Sequence, residues 1–212
     1  MHACFSHSNS FNHVILLFQV SQVHDNEKGN LTSSIRTQIG SSIRDDESLL
    51  VKKISQRVGK AVKLEVMEKE SVHSSEAWTI GVYSVGGYYA PHMDPYNMSF
   101  SNITTNHSKV NDFDLLTDDR MASVLLYHSD VIGGVTAFER LGLGVSPKRG
   151  SALFWHNLHS NGTVDARMLH SACPTALGIK WVSNKWIWSR EQVWKRPCFA
   201  QEESTQEESR LD

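Results

Sequence analysis

The sequence has 212 residues, of which 40% are hydrophobic and 21% are charged, and these values are typical of a single globular domain. Its formal net charge of −2 provides no electrostatic basis for binding nucleic acid, and no apolar run reaches the length of a transmembrane helix. Three cysteines without a C-x-x-C pair argue against a cysteine-based zinc site.

The first part of the chain predicts one strand and one helix. Val14–Val23 is largely apolar and predicts a buried strand, with a degraded or truncated signal segment at Val14–Val20 as the alternative. Asp45–Glu47 supplies the acidic residues that suit a helix N-terminus, and Gly59 predicts the end of that helix. Between them, apolar residues at helical spacing predict a core-facing stripe, which consists of Leu49, Leu50, Ile54 and Val58.

Strand signals dominate the rest of the chain. Alternation and an excess of β-branched and aromatic residues predict strands at Trp78–Val85, Met121–Tyr127, Gly150–Leu158 and Gly178–Trp188. One early helix followed by many short strands with Gly-rich turns predicts a mainly β fold with a flanking helix, namely an antiparallel sandwich or a jelly roll (double-stranded β-helix).

A candidate metal site begins with His92 and Asp94, which stand two residues apart in an extended segment. Residues i and i+2 of a strand point to the same face, so an imidazole and a carboxylate converge there. Together with one more histidine they form the donor set of a non-haem Fe(II) site, although the pair alone is a weak signal. His170 is the best third ligand, because a jelly roll can bring an early and a late strand together; His156 and His159 compete with it.

An anionic small molecule could be bound close to this site. Lys180 follows His170 by ten residues and could pair with such an anion, and Lys185 is the alternative in the same strand. Tyr83 lies on the strand that leads into the His-x-Asp pair, and its hydroxyl could bond the same molecule. The spacing is almost equally consistent with Tyr83 as an aromatic residue of the core that binds no ligand.

Eight stretches, taken together, carry the motifs of a known family. They are Val23–Thr32, Tyr83–Asp94, Asp119–Asp130, Gly133–Phe138, Pro147–Trp155, His170–Pro174, Lys180–Trp186 and Arg196–Cys198. In order and spacing, over roughly residues 20–200, the sequence resembles the catalytic domain of the collagen-type prolyl 4-hydroxylase α subunit, a member of the Fe(II)/2-oxoglutarate dioxygenase superfamily.

The resemblance implies a function and its site residues. The matching positions are His92, Asp94 and His170 for iron, and Lys180, Tyr83 and Thr136 for 2-oxoglutarate. Lys180 is the counterpart of the lysine that holds the distal carboxylate of this cosubstrate. The implied activity is hydroxylation at C4 of proline in a proline-rich, collagen-like peptide, with Fe(II), 2-oxoglutarate and ascorbate as cofactors and with succinate and CO2 as products.

The resemblance also implies a cellular setting. Family members work in the endoplasmic reticulum lumen, with protein disulfide isomerase as the β subunit, and Cys173 and Cys198 match a family disulfide. Five N-x-S/T sequons favour a glycoprotein of the secretory pathway; they begin at Asn30, Asn97, Asn102, Asn106 and Asn161.

The sequence departs from the family at its N-terminus. Residues 1–19 match poorly, and the family's dimerisation and peptide-substrate-binding regions have no counterpart. We therefore expect a dioxygenase domain at residues 20–200, followed by an acidic, disordered tail at residues 201–212. Two alternatives stay open: a non-catalytic binding or regulatory paralogue or truncated product, and a hydroxylase of another protein residue.

Overall fold

The computed structural model describes residues 19–20, 22–25, 29–32, 36–67, 74–96 and 118–196. These ranges contain one α-helix, α1 at Leu49–Val62. The strands are β1 Gln19–Val20, β2 Gln22–Asp25, β3 Gly29–Thr32, β4 Ile39–Ile43, β5 Trp78–Tyr83, β6 Tyr89–His92, β7 Arg120–Tyr127, β8 Ile132–Gly133, β9 Thr136–Phe138, β10 Leu143–Val145, β11 Ala152–His156, β12 His170–Ala172, β13 Thr175–Leu177 and β14 Lys180–Trp188. Short 3-10 helices lie at Glu139–Leu141, Ala166–Met168 and Arg190–Gln192.

Two antiparallel sheets form the body of the domain. The major sheet has six strands in the order β1-β4-β5-β14-β7-β11, and the minor sheet has four in the order β10-β9-β12-β6. Strands distant in sequence are neighbours, because β14 lies between β5 and β7 and β12 lies between β9 and β6. Two short ribbons, β2–β3 and β8–β13, complete the described strands. The predicted mainly β, jelly-roll fold with a flanking helix is confirmed.

The major sheet is buried on both faces, with alternate residues of one strand contributing to different cores. Ala122 and Val124 of β7 pack in the cluster beneath α1. Leu125 and Tyr127 of the same strand pack in a second cluster that includes Phe138 of the minor sheet. The period-2 alternation of strand side chains produces this division. The second cluster, between the two sheets, surrounds the candidate site.

Helix α1 extends past its predicted end. Ser48 precedes it as the N-cap, and its side-chain oxygen accepts a hydrogen bond from the Leu50 amide at 3.3 Å. The helix continues to Val62, and Lys63 follows in the left-handed conformation (φ 60°). The prediction that Gly59 ends the helix was wrong. A Cβ there would lie 3.0 Å from the Leu64 carbonyl oxygen, so close packing accounts for this glycine.

The core-facing stripe of α1 also differs from the prediction. Val51, Ile54, Val58 and Val62 pack on the core, at the i, i+3, i+7 and i+11 spacing of one helix face. Leu49 is 77% exposed and Leu50 is 50% exposed. Both lie off that face, so only Ile54 and Val58 of the predicted stripe contact the core.

Asp45 belongs to the core and not to the first turn of the helix. It is 1% exposed, and its Oδ2 accepts a hydrogen bond from Lys185 Nζ at 2.8 Å. The Ser55 hydroxyl donates to Asp45 Oδ1 at 2.5 Å, and the Trp78 indole N–H donates to Ser55 Oγ at 2.7 Å. Lys185, the alternative cosubstrate anchor, is therefore engaged in a buried ion pair on the α1 side of the major sheet.

No helix in the ranges described is both long and apolar enough to span a membrane.

Replacing Lys185 with Met will destabilise the fold by about 3–5 kcal/mol, because it leaves the Asp45 carboxylate buried without its cation. Chemical denaturation of the native chain and the variant measures this difference. The double variant Lys185→Met/Asp45→Leu removes both charges and should recover most of the loss. If Lys185→Met were as stable as the native chain, the Lys185–Asp45 ion pair would not contribute to the free energy of unfolding as predicted.

Candidate metal centre and its pocket

His92 and His170 are brought together by strand pairing within the minor sheet. Strands β6 and β12 are antiparallel neighbours, and His170 is the direct cross-strand partner of His92. Directly opposite residues project from the same face of a sheet. The two imidazole ring centroids lie 4.3 Å apart, so both rings meet at one point between the sheets.

Backbone carbonyl groups determine which ring nitrogens are available. His92 Nδ1 lies 2.9 Å from the Ala90 carbonyl oxygen, and His170 Nδ1 lies 2.9 Å from that of Met168. A carbonyl only accepts, so each Nδ1 carries the proton and donates it, leaving the Nε2 lone pair for a metal. Burial and, to a smaller extent, the neighbouring His170 lower the pKa of His92 to about 4, an effect that Asp94 opposes. His92 is therefore neutral at pH 7, as metal binding requires.

Asp94 completes the cluster from outside the strand. Strand β6 ends at His92, so the shared strand face that the sequence indicated does not extend to Asp94. The carboxylate nevertheless reaches both rings: Oδ1 lies 3.9 Å from His92 Nε2, and Oδ2 lies 3.8 Å from His170 Nε2. The Ser123 hydroxyl donates a hydrogen bond to Oδ2 at 2.5 Å.

The three side chains form a donor set suited to iron. Each offers one ligand atom, and these atoms all lie within 4.8 Å of one another. Two imidazole nitrogens and one carboxylate oxygen on one side of an ion are the ligands of non-haem Fe(II) oxygenases. The residues present therefore fit the metal that the resemblance implies.

The competing histidines lie elsewhere. His159 is 44% exposed, and its Nε2 lies 3.8 Å from Asp165 Oδ1. His156 follows Trp155, whose side chain lines the candidate pocket, so His156 projects from the opposite face of β11. Its ring packs edge-on against Phe154, with centroids 4.9 Å apart. Neither residue joins the cluster.

A pocket between the two sheets connects the histidines to Lys180. It is lined by Tyr83, Tyr89, His92, Leu125, Thr136, Trp155, His170, Ser171, Ala172, Lys180, Val182 and Asn184. Lys180 and Lys185 are five residues apart on one strand, so their side chains leave opposite faces of the major sheet. Only Lys180 faces the pocket.

Lys180 has the environment of an anion anchor. It is 2% exposed, and its Nζ donates to the Gly134 carbonyl oxygen at 2.7 Å. Within the described ranges no carboxylate forms an ion pair with it, and a buried ammonium without a counter-charge is costly. Burial lowers its pKa to about 8, an effect that Cys173 opposes. A ligand carboxylate in the pocket would supply the missing charge, so the site fits 2-oxoglutarate.

Tyr83 and Thr136 both line this pocket. Tyr83 is the direct cross-strand partner of Lys180, and Lys180 Nζ lies 5.3 Å from its ring centroid. Burial raises the pKa of Tyr83 to about 12, so its hydroxyl stays protonated at neutral pH. Thr136 is buried on β9, and its Oγ1 accepts a hydrogen bond from the Tyr127 hydroxyl at 2.7 Å.

Several residues around the centre were missed by the sequence analysis. Tyr89 stacks on His92 with centroids 3.6 Å apart, and Trp155 packs edge-on against His170 at 5.0 Å. Ser123 contacts Asp94. Alternation within β7 and β11 predicts which residues share a face with Ser123 and with Trp155. Because both faces of the major sheet are buried, it does not predict which face lines the pocket.

The predicted disulfide and most sequons fall outside the described residues. Cys173 is half-buried, but its predicted partner Cys198 lies outside the described ranges, as do Asn97, Asn102 and Asn106. The pairing and the glycosylation stay predictions.

A protein-family model agrees with this geometry. The model described as the 2OG-Fe(II) oxygenase superfamily matches residues 78–188, a range that includes all six predicted site residues. The match lies inside the predicted domain at residues 20–200, whose limits stay a prediction.

The chain is also similar to curated prolyl 4-hydroxylase α subunits, which confirms the resemblance seen in the sequence. It is 37% identical to prolyl 4-hydroxylase subunit alpha-1 of Gallus gallus over 182 residues, which are 85% of this chain and 33% of that protein. It is 42% identical to subunit alpha-2 of Caenorhabditis elegans over 131 residues, or 61% of this chain and 23% of that protein. The chain thus spans about a third or less of the length of these relatives.

Solved structures share the fold. A viral collagen prolyl hydroxylase from Paramecium bursaria Chlorella virus-1, in a 2-oxoglutarate complex, superposes with a TM-score of 0.57 at 21% identity, covering 73% of this chain and 80% of that one. A prolyl hydroxylase from Trichoplax adhaerens superposes with a TM-score of 0.52 at 16% identity, covering 80% and 70% of the two chains.

Binding of 2-oxoglutarate will weaken above pH 8. An anionic ligand needs the protonated form of Lys180, and above its pKa of about 8 each pH unit removes up to about tenfold of the affinity. Calorimetric titrations between pH 6.5 and 9.5 measure this dependence. The matched variant Lys180→Arg keeps its charge throughout this range and should show a flat profile. Equal pH profiles for the two proteins would exclude Lys180 as the source.

Proposed function

The chain belongs to the 2OG-Fe(II) oxygenase superfamily, and on this premise we propose that it is an Fe(II)- and 2-oxoglutarate-dependent dioxygenase that hydroxylates peptidyl proline at C4. One pocket that combines two kinds of functional group supports this proposal most directly. His92 and His170, whose ligand atoms lie with that of Asp94 within 4.8 Å of one another, line the same pocket as the buried Lys180.

The protein's own residues have distinct roles in this reaction. His92, Asp94 and His170 would hold Fe(II) through Nε2 and carboxylate atoms on one side of the ion, which leaves its other positions open for small ligands. When bound, Fe(II) and 2-oxoglutarate supply the oxidising chemistry that consumes dioxygen, releases CO2 and succinate, and inserts one oxygen atom into a substrate C–H bond.

Lys180 and Tyr83 would orient the cosubstrate in the pocket. Lys180 would pair with the carboxylate distant from the metal, and the charge-assisted contact fixes one end of the molecule. The protonated Tyr83 hydroxyl is available as a second donor. The apolar walls, including Leu125 and Val182, exclude water and strengthen the ionic contact.

Similarity to prolyl 4-hydroxylase α subunits supports proline in a proline-rich, collagen-like peptide as the substrate. It extends over 85% of this chain, well beyond the metal ligands. From the family motifs in the sequence we further propose ascorbate as the reductant that maintains Fe(II), protein disulfide isomerase as a β subunit, and the endoplasmic reticulum lumen as the compartment. A Cys173–Cys198 disulfide and occupied sequons are expected in that compartment.

Incubation with Fe(II), 2-oxoglutarate and ascorbate will add one oxygen atom to proline in a collagen-like Pro-rich peptide. Tandem mass spectrometry locates the oxygen, and succinate is measured in parallel. Asp94→Ala removes a metal ligand and should abolish both products. Lys180→Ala should retain the metal but raise the concentration of 2-oxoglutarate needed for half-maximal turnover.

The result also separates the alternatives. Oxygen on a residue other than proline would contradict prolyl specificity and support another protein hydroxylase. A folded native chain that makes neither succinate nor oxidised peptide would contradict catalysis and support a binding or regulatory paralogue.

A further inference from the structure

Asp94 is held differently from the two histidines. His92 and His170 are paired within the minor sheet, so the strand ladder fixes their positions. Asp94 lies two residues beyond the end of β6 and outside that ladder. Its position depends on contacts with β7 of the major sheet.

Strand β7 contacts Asp94 at both its backbone and its side chain. Arg120 Nη1 donates to the Asp94 carbonyl oxygen at 3.3 Å, and the Ser123 hydroxyl donates to Oδ2 at 2.5 Å. The Arg120 guanidinium is itself fixed by Glu76, at 2.5 and 2.8 Å, and it lies 3.9 Å from the Trp186 ring centroid. The backbone tether is therefore rigid, and Ser123 alone contacts the carboxylate from this strand.

Asn157 determines the direction of the Ser123 hydrogen bond. Asn157 Nδ2 lies 2.8 Å from Ser123 Oγ and 3.2 Å from the Arg120 carbonyl oxygen. A carbonyl only accepts, so the amide nitrogen, and not the amide oxygen, faces both groups. Ser123 Oγ thus accepts a hydrogen bond from Asn157, and its own hydroxyl hydrogen is donated to Asp94.

The hydrogen-bonded chain of Asn157, Ser123 and Asp94 is buried throughout. Asn157 is 1% exposed, Ser123 is 2% exposed and Asp94 is 6% exposed. A hydrogen bond to a carboxylate in such surroundings is strong, because water does not compete for it. Ser123, itself held by Asn157, therefore fixes Oδ2 of Asp94 and leaves Oδ1 available.

We propose that Ser123, oriented by Asn157, is a positioning residue that occupies Oδ2 of Asp94 and makes Oδ1 its metal-binding oxygen. The inference rests on the proposed function, since it presupposes a metal held by His92, Asp94 and His170. Its consequence is that Asp94 binds through one oxygen only. A carboxylate that bound through both oxygens would occupy a position needed for the cosubstrate or dioxygen.

Co(II) binding tests this role without turnover. The visible spectrum of bound Co(II) reports its coordination, and titration gives its affinity. Ser123→Ala should weaken binding by about 10–100-fold, the usual effect of losing a hydrogen-bond partner of a metal ligand, and should alter the spectrum. Ser123→Thr retains the hydroxyl and should restore both values.

Two further variants separate positioning from packing. Ser123→Val has nearly the shape of Ser123→Thr but lacks the hydroxyl, so it should behave like Ser123→Ala. Ser75→Ala is the matched control. Ser75 is also 2% exposed, and its hydroxyl donates to the Val66 carbonyl oxygen at 2.5 Å, away from the metal ligands. It should bind Co(II) as the native chain does.

These measurements separate failure of the positioning role from failure of the metal site. Native affinity and spectrum in Ser123→Val would overturn the positioning role, whether or not Ser123→Ala folds. Equal losses in Ser123→Thr and Ser123→Val would overturn it as well, because the hydroxyl would then have no effect. A folded native chain that binds no Co(II) would contradict the metal site itself, and with it the proposed function.

Discussion

The centre depends on one cross-strand pair, His92 opposite His170, where strands distant in sequence become neighbours in the minor sheet. Each ring donates its Nδ1 proton to a carbonyl two residues earlier, so strand pairing also orients the Nε2 atoms. Asp94 reaches them from beyond the strand, held by β7 of the major sheet. The geometry of the ligands is therefore set by the packing of the two sheets, and disturbance of either sheet would alter it.

The two buried lysines of β14 differ in whether the protein itself neutralises their charge. Lys185 faces α1 and pairs with Asp45 at 2.8 Å, so its charge is neutralised within the protein. Lys180 faces the pocket and contacts the Gly134 carbonyl oxygen, which accepts a hydrogen bond but carries no net charge. An anionic ligand that bound there would offset the free energy of burying Lys180, and its binding would therefore be coupled to the stability of the pocket.

Local pattern predicted strands β5, β7, β11 and β14 and the His-x-Asp pair, because alternation and spacing are properties of neighbouring residues. The single strand predicted at Val14–Val23 lies partly outside the described residues, and its described part belongs to two strands, β1 and β2. It failed at Gly59, since a glycine required by close packing resembles one that ends a helix. It also failed at Asp45, whose cation lies 140 residues away. Spacing could not decide whether Lys180 or Lys185 contacts the anion, because the choice depends on which face of the major sheet lines the pocket. Ser123 and Asn157 act through contacts 29 and 34 residues apart, and no local signal encodes these.

We propose that the His–Asp–His cluster and Lys180 bind one ligand that spans the pocket. Calorimetric titration of 2-oxoglutarate into the metal-free chain and into the chain loaded with Mn(II), which replaces Fe(II) to prevent turnover, tests this claim directly. If one ligand contacts both groups, Mn(II) should raise the affinity for 2-oxoglutarate, and 2-oxoglutarate should raise the affinity for Mn(II) by the same factor. Equal affinities for 2-oxoglutarate with and without the metal would contradict it.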